Sequence, residues 1–116
     1  MERTERIQQQ LASNNLQLHS FLERLCLENG SPTPSDYNDV ETAIQGGSIL
    51  ETETIATVRS ISAETMGPLL QAIAESPELV LLKVVDIQPQ RGEPGRFNLR
   101  ITVSTFRANQ QQQEDS

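Results

Sequence analysis

From residue 97 to residue 104, apolar and polar positions alternate without a break. Phe97, Leu99, Ile101 and Val103 fall on one side, Asn98, Arg100, Thr102 and Ser104 on the other. This is the pattern of an antiparallel strand with one buried face. Residues 79–87 read differently: they are apolar on both sides until Lys83, which predicts a central strand. Between them Pro89, Gly92, Pro94 and Gly95 mark a long hairpin loop over 88–96. Upstream, residues 51–61 are rich in Thr, Ile and Val and predict a strand. Its imperfect alternation suits a bulge or cover on both faces. A helix follows, capped by Ser62 or Thr65, with Glu64 near its positive end. Gly67-Pro68 is expected in its first turn, where a missing N–H costs little. Met66, Leu69, Leu70, Ile73 and Ala74 form its apolar face, and Ser76-Pro77 ends it.

The N-terminal stretch carries a helical period. Ile7, Leu11, Asn14, Leu18, Phe21 and Leu25 are spaced 4, 3, 4, 3 and 4 apart, a heptad a/d stripe. It predicts a lead helix over 4–29, stopped by Asn29-Gly30 with Pro32 beyond. Its first turns are dominated by glutamine, its last by leucine. The C-terminal part is therefore expected to pack on a core, and the N-terminal part to project or to pair with another helix. Residues 31–39 read as a turn-rich linker and 40–45 as a short strand or irregular stretch. Residues 108–116, with four consecutive glutamines and an acidic end, predict a disordered tail. The chain thus divides into a lead helix (1–29), the remainder of a single α+β domain (30–107) and a tail (108–116). If the stretch near Val40 is a strand, helix–strand–strand occurs twice.

Composition narrows the function. At 116 residues there is room for one domain. A formal charge of −7, with nine scattered basic residues, argues against a polyphosphate partner and an anionic membrane surface, both of which need clustered Lys and Arg. No apolar run approaches the ~20 residues that a spanning helix needs, and no signal peptide opens the sequence. Cys26 is the single cysteine, so it has no internal disulfide partner and does not fix the compartment.

Candidate chemistry is sparse. His19 lies on the lead helix with Glu23 one turn on and reads as a solvated helix histidine rather than a general base. Cys26 reads as an inert thiol. Asp36, Asp39 and Glu41 lack the glycine and terminal glutamate of a calcium loop. Glu51 and Glu53 share a strand face, solvated or guarding an exposed edge. Arg91-Gly92-Glu93-Pro94-Gly95 lacks the order of a phosphate loop. No catalytic residue, cofactor or metal is expected.

The succession of heptad-bearing helix, polar linker, strand, short helix and closing hairpin resembles the periplasmic domains of the type II secretion M protein family and its type IV pilus counterpart, the PilO family. The residues that carry the likeness are Leu69-Leu70-Gln71-Ala72-Ile73, then Leu82, Val85 and Ile87, within a stretch from about residue 55 to residue 106. The resemblance implies an α+β, ferredoxin-like variant in which helix–strand–strand is repeated twice, its antiparallel sheet covered by helices on one face. It implies a single membrane helix upstream in the full protein, which this sequence does not contain. It also implies a homodimer, or a pair with a structurally similar inner-membrane platform protein, acting as a non-enzymatic part of a secretion or pilus platform in the periplasm. The expected interface is the lead-helix face, Ile7, Leu11, Leu18, Phe21 and Leu25, with Met66, Leu70 and Ile73 of the second helix. The alternative is a small-molecule-binding regulatory α+β domain of a cytoplasmic protein, with the Gly46-Gly47 break and the 88–96 loop as its sites. A small enzyme is the third reading.

Overall fold

The computed structural model describes residues 16–108. The order of elements is α1 (Leu18–Glu28), β1 (Asp36–Ile44), β2 (Ile49–Ser62), α2 (Ala63–Ala74), β3 (Val80–Pro89) and β4 (Arg96–Ala108), with a 3-10 turn at Gln45–Gly47. The four strands form one sheet in the order β1-β2-β4-β3, with every neighbouring pair antiparallel. Helix–strand–strand occurs twice, and the fold is the expected α+β, ferredoxin-like variant.

Local chemistry sets the boundaries. α1 stops where Gly30 takes φ 70°, a conformation that costs glycine nothing. The Ser31 N–H then reaches the Cys26 carbonyl at 2.8 Å and the Gly30 N–H reaches that of Leu27 at 3.3 Å. These two bonds satisfy carbonyls that the helix end leaves open. At α2, Ser62 is the cap, and its hydroxyl accepts from the Thr65 N–H at 3.2 Å. With the cap at Ser62, Pro68 falls in the second turn rather than the first, where its missing N–H leaves the Glu64 carbonyl without its helical donor. β2 carries the bulge that its irregular pattern suggested: the register with β4 shifts between Val58 and Ile61. There Ser60 adopts φ 61°, and its N–H reaches Asn98 Oδ1 at 3.3 Å.

The bulge keeps the buried side of β2 continuous. Thr54, Ala56 and Val58 alternate inward, and the extra residues let Ile61 follow on the same side. Leu99, Ile101 and Val103 of β4 lie beside them. Both helices cover this face: Leu18, Phe21, Leu22, Leu25 and Cys26 from α1, and Met66, Leu69 and Ile73 from α2, complete the core. Each fully buried Leu, Ile or Phe contributes about 1.5–3 kcal/mol of transfer free energy.

Three expectations are corrected. The lead helix read over 4–29 is not helical at Leu16 and Gln17: α1 begins at Leu18, and Gln17 before it is extended, with φ −96° and ψ 108°. The stretch read as a linker to residue 39 becomes strand at Asp36, and β1 is nine residues long. Its backbone groups pair in register with β2 from Asp36↔Thr57 to Ile44↔Ile49. Ladder bonds thus outweigh the poor strand propensity of its acids. And β3, read as a central strand, lies at the sheet edge beyond β4.

Candidate functional site

The β3 edge is where sequence and structure disagree most. Partners across the ladder share a face, so the register assigns each side chain. Val85 opposite Ile101 and Ile87 opposite Leu99 point to the helix side, while Leu81 opposite Ser104 and Val84 opposite Thr102 point to the uncovered side. The helices do not reach far enough to cover the first pair, and no described element covers the second. Leu81, Val84, Val85 and Ile87 are 50%, 53%, 41% and 44% exposed. Four large apolar side chains on one edge strand, on both of its faces, form a surface suited to a partner.

A bulge interrupts this edge between Leu82 and Val84. Lys83 turns from it over the uncovered sheet face, its Nζ 2.9 Å from a Glu51 oxygen and 2.8 Å from a Glu53 oxygen. The same Glu51 oxygen accepts from the Ser104 hydroxyl at 2.7 Å. The Ser104 hydrogen bond, then that of Lys83, holds the Glu51 carboxyl below its ordinary range. Hydrogen bonds to Glu53 and Glu51 raise Lys83. Glu51 and Glu53 therefore sit on a central strand and share one ammonium across the sheet; they do not guard an edge.

The other end of the uncovered face is polar. Asp36, Arg59, Asp86 and Arg100 border a depression of about 350 Å³, with Arg59 and Asp36 3.9 Å apart. Strand residues build it, not the Gly46-Gly47 break, and of the 88–96 loop only Gln88 lines it. Its four charged side chains are all exposed, an arrangement that holds a small molecule weakly. On the helix side, His19 is not alone. Its Nε2 lies 2.9 Å from Asp39, and its ring stacks on Tyr37 with centroids 3.8 Å apart. The Thr54 hydroxyl donates to Asp39 at 2.7 Å. Burial raises the Asp39 carboxyl, and the bonds from His19 and Thr54 outweigh it, leaving a net lowering. Burial and the neighbouring Glu23 push the Tyr37 hydroxyl up to about 12. This cluster clasps α1 to β1. Asp39 and Glu41 face the helix side and Asp36 the other, so the three acids do not converge. Among the described residues, no group of three or more His, Cys, Asp or Glu is placed to hold a metal.

The expected interface residues fall into three groups. Leu18, Phe21, Leu25, Met66 and Ile73 lie in the core of the domain itself. Leu70 is half-buried against that core. Ile7 and Leu11 lie outside the described residues, as does the tail beyond Ala108. No residue of β3 stood among the expected contacts, although Val85 and Ile87 carried the family likeness. Their signal was nevertheless in the sequence, as a strand apolar on both sides.

The fold has solved counterparts. The crystal structure of the type 4 fimbrial biogenesis protein PilO from Pseudomonas aeruginosa superimposes with a TM-score of 0.66 at 20% identity, over 76% of this chain and 64% of that one. The core region of PilO from the type IV pilus system of the same organism gives 0.58 at 18% identity, over 72% of this chain and 88% of that one. The chain therefore has a PilO-like fold and spans just under two thirds of the first of these structures. The sequence matches no protein-family model and no curated protein. No described helix is long and apolar enough to cross a membrane.

Proposed function

We propose that this chain is a non-enzymatic assembly domain of a bacterial inner-membrane platform of the type IV pilus or type II secretion kind. It stands in the periplasm and works by pairing with a second copy or with a platform protein of similar fold. One observation carries the reading: a PilO-like fold whose edge strand exposes apolar side chains on both faces. An edge of that sort gives affinity through main-chain hydrogen bonds and specificity through alternate side chains. Leu70 and the lead-helix positions Ile7 and Leu11 are further contact candidates. The test is removal of the gene from the source bacterium, with surface pili and secreted protein measured. Loss of either, restored by the wild-type gene, is the expected result. Unchanged pili and secretion overturn the proposal.

A further inference from the structure

We propose that Asn29, at the end of α1, is a self-modifying site: it converts to aspartate or isoaspartate when that helix end opens. The chemistry needs no reagent beyond water. Once the Gly30 nitrogen loses its proton to solvent base, it attacks Asn29 Cγ. The new C–N bond closes a five-membered imide, the Cγ–Nδ2 bond breaks, and ammonia leaves with a proton taken back from solvent. Water then opens the imide at either carbonyl, giving aspartate or isoaspartate at position 29. Asparagine before glycine is the pair best suited to this step, because no side chain hinders the attacking nitrogen. Gly30 is exposed, and the space where a Cβ would stand on it is open to 4 Å.

The fold restrains this reaction in three ways. Closure requires the Gly30 nitrogen to come round beside Asn29 Cβ. At ψ 9° it nearly eclipses the Asn29 backbone nitrogen instead, turned away from Cγ. The Gly30 N–H is committed to the Leu27 carbonyl at 3.3 Å. The Asn29 side chain is committed too, its Nδ2 donating to the Leu25 carbonyl at 2.8 Å. All three restraints belong to the last turn of α1, so one local opening releases them together. Conversion then works against reclosure. A carboxylate cannot donate to the Leu25 carbonyl, and it adds negative charge at the negative end of the helix, next to Glu28. Isoaspartate also lengthens the backbone by a methylene, which shifts the Gly30 and Ser31 N–H groups off the Leu27 and Cys26 carbonyls that they satisfy. The modified chain therefore holds α1 less firmly, at the turn that carries Leu25 and Cys26 into the core.

The test uses the full chain, incubated in mildly alkaline buffer with and without guanidinium chloride. Fragment-ion mass spectrometry follows the amide-to-acid mass gain at position 29. Conversion is expected in both, and about tenfold or more slower in the folded chain. An isoaspartyl methyltransferase is expected to label the product, since the imide route yields isoaspartate and direct hydrolysis does not. Leu25→Ala, which removes a buried side chain from the same turn, is expected to speed conversion several-fold in buffer and to leave the denatured rate unchanged; circular dichroism checks that it folds. Asn29→Asp reproduces the new charge and is expected to lower the thermal midpoint. No conversion in buffer, equal rates with and without denaturant, a product that is not labelled, or a Leu25→Ala rate like that of wild type overturns the gated site. An Asn29→Asp protein as stable as wild type overturns the loosening of α1.

Discussion

Leu22→Ala tests whether α1 is part of the domain or a projecting arm. Leu22 is 1% exposed and packs in the cluster that joins α1 to the sheet. Truncation of a buried leucine costs about 2–5 kcal/mol, from lost transfer free energy and the cavity left behind. With a urea slope of about 1 kcal/mol per molar, at the low end because the domain is small, the midpoint falls by roughly 2–5 M. Small domains have about 5–15 kcal/mol in all, so the variant keeps its fold only with a reduced margin. Leu27 lies on the same helix but is 70% exposed. Leu27→Ala is expected to move the midpoint by less than about 0.5 M, as surface substitutions do. The assay is urea unfolding of both variants, followed by circular dichroism. If both shift little and equally, α1 does not dock on the sheet, and the account of the core is wrong.

Other expectations follow from the bulge, the clasp and the cap. Ser60 sits at φ 61°, so Ser60→Gly is expected to raise stability by up to about 1 kcal/mol and the β-branched Ser60→Val to lower it by about 1–2 kcal/mol; a Ser60→Val protein as stable as wild type would remove the left-handed bulge from the account. Asp39 is lowered in the folded state, so its contribution is fully present above the unfolded carboxylate pKa, about 3.9, and is lost as the pH falls through the folded value. Stability is therefore expected to drop below about pH 4, and to drop less steeply in Asp39→Asn; urea midpoints at neutral and acid pH measure it, and identical acid limbs would count against the clasp. Ser62→Ala is expected to cost about 0.5–2 kcal/mol through loss of the α2 cap, read as a lower thermal midpoint.

What the sequence made legible is burial demand. The alternation of β4, the capped amphipathic α2 and the Asn29-Gly30 stop could all be read because local pattern and final environment agree. Which neighbour meets the demand was not legible. Leu18, Phe21 and Leu25 form a heptad stripe, and a heptad stripe and a core-facing stripe are the same spacing. The structure places these residues inside the domain. β3 showed the converse: its apolar faces implied an interior strand, and the single chain places it at an edge. Only the second half of β1 was legible, as a possible strand near Val40; its start at Asp36 was hidden because turn residues run into it without a break and its acids disfavour strand, and the ladder with β2 determines it. The His19–Asp39 pair joins residues twenty positions apart, a separation at which no local pattern operates.

The central claim is that this domain belongs to a membrane-bound platform and faces the periplasm. Fractionation of the source bacterium, with protease added to spheroplasts before lysis and the chain followed by immunoblot, tests it most directly. The account predicts a band in the inner-membrane fraction that external protease removes. A band in the soluble cytosolic fraction, protected until lysis, would contradict it.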